Sequence, residues 1–169
     1  MPGVALELTI HVSTTSEGRC RALRGAQVDL WQCDAQGVYS GVPESGTAGR
    51  DFLRGFQLTD DSGGVRFLTL YPGWYPGRTV HIHAKVRTFD PFGAVITELS
   101  TQLFFDDAVT DAVLDSAAYA GRGPRDTRNS ADAIFRGQQA RLVSLGGDVG
   151  SALRGEMDLG VMVGEIRSG

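Results

Sequence analysis

Long apolar runs are missing from this chain: no stretch approaches the ~18 consecutive apolar residues that a membrane-spanning helix needs. The opening Met1-Pro2-Gly3 leads directly into strand-like sequence, with no basic and apolar signal region. An excess of positive charge is missing too. Sixteen Lys plus Arg stand against 20 Asp plus Glu, a net charge of −4, whereas a nucleic-acid surface concentrates positive charge. Lysine is nearly absent, Lys85 being the only one, and this reads as a bias of composition without functional weight. Cysteine is scarce. A bridge between Cys20 and Cys33 would close a short loop and contribute roughly 3 kcal/mol, while two free thiols are the other reading. Only the bridge implies an oxidising compartment.

What is present is alternation. The 169 residues suffice for one domain with a single core, and residues 1–169 are expected to form it. Val4, Leu6, Leu8 and Ile10 alternate with Glu7, Thr9 and His11, the pattern of a half-buried strand, and His11 falls on its polar side. Residues 26–32 repeat the pattern with Val28 and Leu30 inward. The Gly/Ser/Thr/Pro-rich stretch 41–50 reads as a loop. Residues 56–59 and 65–70 flank the turn Asp60-Asp61-Ser62-Gly63-Gly64 and predict a hairpin. Strands are further expected over 79–88, 95–105, 141–144 and 152–163, with one helix over 107–118 and an Arg-rich irregular stretch over 121–130. Many short strands with turns between them and little helix predict an antiparallel sandwich or barrel.

Two of the three histidines form Val80-His81-Ile82-His83-Ala84 inside the strongest strand pattern. Residues i and i+2 share a strand face, so the imidazoles stand ~7 Å apart along one edge while Val80, Ile82 and Ala84 face the core. Such a pair is a ready metal edge, although many HxH pairs bind nothing. Upstream, the Pro- and Gly-rich Leu70-Tyr71-Pro72-Gly73-Trp74-Tyr75-Pro76-Gly77-Arg78 leads a tyrosine back over the start of this strand. Tyr39 follows Gly37 at the end of an earlier strand. Loop tyrosines are usually packing residues. As phenolates they are hard anionic donors suited to Fe(III), whereas zinc prefers Cys, His and carboxylates. Holding a Tyr ionised at neutral pH asks at least ~4 kcal/mol of the metal. Tyr71 and Tyr75 compete for the second phenolate role, and Trp31 and Trp74 are candidate pocket walls.

These segments resemble the intradiol ring-cleavage dioxygenases, the family of catechol and protocatechuate dioxygenases, and most closely its secreted actinobacterial-type members. The resemblance runs through residues 25–35 and 37–40, Phe52-Leu53-Arg54-Gly55, the block 67–86, Thr101-Gln102-Leu103-Phe104-Phe105-Asp106-Asp107 and Arg125-Asp126-Thr127-Arg128-Asn129. It implies an all-β sandwich of mixed but largely antiparallel topology, immunoglobulin- or transthyretin-like, with one short helix and long loops. It implies a non-haem Fe(III) held by Tyr39, Tyr75, His81 and His83, with Tyr75 matching the family position after Pro-Gly-X and before Pro. Tyr75 would also act as a base, and Arg78 and Gln102 would stabilise anionic charge on the substrate. The implied reaction is insertion of O2 between the hydroxyl-bearing carbons of a catechol to give a cis,cis-muconate, in the catabolism of aromatic and lignin-derived compounds.

The chain opens on its first strand, without the helical dimerisation region of many intradiol enzymes, and the loop from Tyr75 to His81 is short. An open pocket, a broad catechol range and a monomer or weak dimer are therefore expected. A secreted location is expected, with a cytoplasmic one as the alternative. The competing functional reading is a non-catalytic β-sandwich module that binds an aromatic or carbohydrate ligand. A zinc hydrolase is less well supported, because no Asp or Glu stands beside the histidine strand.

Overall fold

A computed structural model of the chain describes residues 1–16, 19–137 and 141–162. Its first strand, β1 (Ala5–Ser16), buries Leu6, Leu8, Ile10 and Val12 and turns Glu7 and His11 outward, as alternation requires. β1 pairs antiparallel with β2 (Arg19–Ala22) through its second half and with β5 (Gly64–Leu70) through its first. On its other side it pairs in parallel with β9 (Ala152–Val161), which pairs in turn with β8 (Ser144–Asp148). The second sheet runs β4 (Arg54–Leu58), β3 (Gln27–Trp31), β6 (His81–Phe89) and β7 (Val95–Phe104), all antiparallel. The result is an all-β sandwich of mixed topology. Leu8, Ile10, Met157 and Leu159 of one sheet meet Val28, Ile82, Ala84, Val86 and Leu103 of the other in a single apolar core.

Among the described residues two α-helices accompany the strands. Asp106 caps α1 (Asp107–Leu114), its side chain accepting from the backbone N–H groups of Ala108 and Val109. The expected helix to residue 118 stops early because Tyr119 is drawn into the core, where its hydroxyl donates to the Tyr71 carbonyl and accepts from Val4 N–H. The second helix, α2 (Ala133–Gly137), was not expected from the sequence. No helix among the described residues is long and apolar enough to cross a membrane.

Several expectations are corrected. The segments around the 60–64 turn do not form a hairpin: β4 joins β3 and β5 joins β1, so the turn crosses between sheets. Thr59 holds the first side of this crossing, with Oγ1 donating to the Leu23 carbonyl and accepting from Ala26 N–H. Gly63 O accepts from Val12 N on the other side. β2 was not expected from the sequence, since all four of its residues are exposed and carry no apolar alternation. The strand expected at 141–144 begins at Ser144, with Leu142 contributing only an isolated bridge to Phe104. The last strand ends at Val161, and Val163, where its end was expected, lies outside the described residues.

The bridge between Cys20 and Cys33 does not form, and both thiols are free. Cys20 is exposed on β2, at the outer edge of the five-stranded sheet. Cys33 is buried just beyond β3 of the other sheet, and its Sγ donates to the Gly73 carbonyl at 3.3 Å.

Candidate functional site

The period-2 split of β6 decides where the histidines go. Ile82, Ala84 and Val86 enter the sandwich core, so His81 and His83 stand on the opposite, outer face of the four-stranded sheet. Loops cover this face. His81 is only 2% exposed even though it lies outside the sandwich. Its Nδ1 donates to the Thr79 carbonyl at 2.7 Å, which leaves the Nε2 lone pair facing into the site. His83 Nε2 lies 3.2 Å from His81 Nε2, and the Tyr75 hydroxyl donates to His81 Nε2 at 3.1 Å.

Two interlocked loops carry the tyrosines. In the first, the Asp34 carboxylate accepts from Gln36 N and Val38 N, while Asp34 N donates to Val38 O, making a tight turn just before Tyr39. Gly37 sits in that turn at φ +75°, and a Cβ there would collide with the Trp74 carbonyl oxygen. The second loop presses back in the same way, since a Cβ on Gly73 would collide with the Ala35 carbonyl oxygen. Gly73 N donates to Asp34 O at 3.0 Å. The two backbones thus lie flat against each other, and the Tyr39 and Tyr75 rings meet edge-on with centroids 5.6 Å apart. Tyr39 also meets His83 edge-on at 5.9 Å.

Tyr71 takes the other direction. It is fully buried in the core, its ring on Phe105 and its hydroxyl bonded to Thr110 Oγ1 at 2.7 Å. Of the two competing tyrosines, therefore, Tyr75 is the one that meets the histidines. Trp31, opposite His83 in the β3–β6 register, stacks on its imidazole at 4.8 Å. Trp74 is engaged elsewhere, its indole N–H on the Gly123 carbonyl and its ring under the Arg122 guanidinium. His11 is exposed on the other sheet.

Arg78 and Gln102 also arrive at the site. Gln102 lies opposite His83 in the β6–β7 register, its Nε2 3.5 Å from His83 Nδ1, and its Oε1 accepts from Arg78 Nη2 at 2.5 Å. Three supporting residues were given no role from the sequence, although Asp126 and Asn129 fall in a segment that carries the resemblance. Asp132 accepts from Arg78 Nε at 2.8 Å and from Thr79 N at 3.0 Å. Asn129 accepts from Thr79 Oγ1 and donates to the Phe105 carbonyl, and Asp126 accepts from Gly77 N. Arg125 fastens the same segment to Asp107 and Asp111 on α1. Only the N-cap pattern of Asp132-Ala133-Ile134-Phe135 could have flagged Asp132.

Burial sets the electrostatics of the four rings. It pushes the Tyr39 phenol well up and the Tyr75 phenol up, and it pushes His81 down to about 4 and His83 down to about 3, with the Arg78 charge adding to both imidazole shifts. At neutral pH the protein alone therefore holds four uncharged donors, and the phenols ionise only if a cation compensates them. The Tyr39 hydroxyl is buried with no protein group at good hydrogen-bonding geometry, and the Tyr75 phenol lies close enough to act on it, as expected of two donors that share a further partner. Among the described residues no group of three or more His, Cys, Asp and Glu could hold a metal. A metal at the histidine pair must take the tyrosines as its further donors, and that set fits a hard trivalent ion such as Fe(III) better than zinc.

Known proteins share this framework. The intradiol ring-cleavage dioxygenase of Tetranychus urticae superposes with a TM-score of 0.84 at 29% identity, over 95% of this chain and 82% of that one. The dioxygenase domain of a dioxygenase carbohydrate-binding protein fusion from Streptomyces sp. SirexAA-E is 31% identical over 96% of this chain and 82% of that one, with a TM-score of 0.68. A catechol 1,2-dioxygenase of Candida albicans is 42% identical over 64 residues, 37% of this chain. The match spans only 20% of the length of that curated relative. A family model described as Dioxygenase matches residues 2–139, most of the chain, and on that match and the shared fold the chain belongs to the intradiol ring-cleavage dioxygenase family.

Proposed function

We propose that the chain holds a non-haem ferric ion between Tyr39, Tyr75, His81 and His83 and cleaves catechol-type rings between the two hydroxyl-bearing carbons, giving cis,cis-muconate-type products. The observation that carries this reading is the meeting of two phenols and two imidazoles at one point, with the Tyr39 hydroxyl left with no protein group at good hydrogen-bonding geometry. The general use of iron(III) by the family supports it. When bound, the ferric ion supplies Lewis acidity to the diol oxygens and withdraws electron density from the ring, opening it to dioxygen.

The chain's own groups do the rest. Tyr75 Oη, 3.1 Å from His81 Nε2, is placed to take a proton from an incoming diol, so Tyr75 serves as base as well as ligand. Arg78 and Gln102 form a fixed polar edge beside His83 that stabilises negative charge as the ring loses aromaticity. Trp31 backs His83 and keeps its ring from turning. Residues 1–169 act as one catalytic unit in the breakdown of aromatic compounds, lignin-derived diols among them.

The test is direct. Purified, iron-reconstituted protein should be burgundy from tyrosinate-to-iron charge transfer, its band should shift on anaerobic addition of catechol, and admission of O2 should yield the muconate. Colourless protein with no response to catechol overturns the reading in favour of a non-catalytic binding module. Catechol, protocatechuate, hydroxyquinol and methylcatechols should all turn over, and activity confined to one of them counts against an open, permissive pocket.

A further inference from the structure

Asp132 is the one fully buried acid among the described residues, its side chain 1% exposed. It lies far from the four rings in sequence, yet its two oxygens act on opposite sides of the site. Oδ1 accepts from Ile134 N at 2.8 Å and Phe135 N at 3.1 Å, which starts α2 and seats Phe135 edge-on against Phe104 beside His81. Oδ2 accepts from Arg78 Nε at 2.8 Å and from Thr79 N at 3.0 Å. Arg78 then has its Nη2 aimed at Gln102 Oε1, and the Thr79 carbonyl is held where His81 Nδ1 donates to it.

We propose that Asp132 is a positioning residue of this site, whose single buried charge fixes both the direction of the Arg78 guanidinium and the Thr79 peptide that orients His81. The proposal rests on the dioxygenase reading for its effect on turnover, but not for its geometry. A buried carboxylate with no catalytic contact is costly unless its charge is used. Here the cap of α2 alone would be served equally well by a neutral Ser or Asn. The Oδ2 contacts are what demand an anion: Arg78 Nε and Thr79 N are both donors, and an amide nitrogen in that place would face two donors with a third. Without the carboxylate Arg78 loses the fork that spans Asp132 and Gln102, and a half-buried guanidinium turns to solvent.

Asp132→Asn is the test, with melting temperature recorded beside it. Should that variant fail to fold, Asp132→Ser keeps an oxygen for the α2 cap and removes the charge. In iron-loaded protein with catechol, kcat should fall between about tenfold and a hundredfold, the range expected for loss of an outer-shell partner. KM should stay within about threefold. Asp132→Asn added to Arg78→Gln should cost clearly less than the product of the two single losses, the remainder being the share that acts through Thr79 and His81. In the metal-free full-length chain, the Arg78 Nε–H resonance should be slowly exchanging in the wild type and lost in the variant. An unchanged kcat, multiplicative losses in the double variant, or an unaltered Arg78 resonance each overturn the proposal. Failure of the wild type itself to turn over any catechol overturns the dioxygenase reading instead, and the resonance still decides whether Asp132 holds Arg78.

Discussion

Trp31 and His83 face each other across β3 and β6 with ring planes only 3° apart and centroids separated by 4.8 Å. A stack of this kind contributes about 1 kcal/mol beyond area burial and fixes the ring angle. Replacing Trp31 by Leu should leave the sandwich folded but let His83 turn. Iron should then be stripped by a chelator about tenfold more readily than from the wild type, as followed by the decay of the visible band.

The three tyrosines near the site separate cleanly by substitution. Tyr39→Phe and Tyr75→Phe should weaken the charge-transfer band and depress turnover, with melting temperature little changed. Tyr71→Phe should do the reverse, because its hydroxyl bonds Thr110 in the core: colour and turnover persist, and stability falls by about 1 kcal/mol in urea unfolding. Bleaching by Tyr71→Phe reverses the assignment of the second ligand.

Gly37 answers to backbone geometry alone. At φ +75°, with the Trp74 carbonyl where a Cβ would stand, Gly37→Ala should cost about 2 kcal/mol or more in a denaturant titration. It should also prise the tyrosine loops apart and fade the band. A variant as stable and as coloured as the wild type sinks the interlock.

The cysteines make a pH prediction. Burial pushes the Cys33 thiol up to about 12, so the folded chain keeps a proton that the unfolded chain releases above its ordinary pKa of about 8.5. Stability from this group is full below that point and is lost as pH rises toward 12. Near pH 8 iodoacetamide should modify Cys20 alone in native protein and both thiols after unfolding, with or without reductant, as read by mass. A single chain that takes up no label until reduced contradicts the free thiols.

The parts of the fold that could be read from sequence are those where one face is buried at strict period 2. Val28 and Leu30 in β3 and Ile82, Ala84 and Val86 in β6 announce their strands and, by exclusion, send His81 and His83 to the outer face. β2 could not be read because exposed residues carry no such signature. The crossing between β4 and β5 was hidden because a turn between two strands looks the same whether they pair or part. The four rings were legible through a family resemblance added to the HxH spacing. Asp132, Asn129 and Thr79 were not, since their roles exist only as contacts between segments some fifty residues apart, and an isolated Asp reads as a solvated charge.

The parallel ladder between β1 and β9, with Leu6 beside Leu153 and Thr14 beside Val161, bears on how the molecule is made. During synthesis the first strand emerges early, but one whole side of it waits for residues near 161 before it can be covered. That delay makes the topology slow to fold and keeps an adhesive edge open on the ribosome. Overexpression should therefore favour inclusion bodies at high temperature, and slower translation in the cold should recover soluble protein.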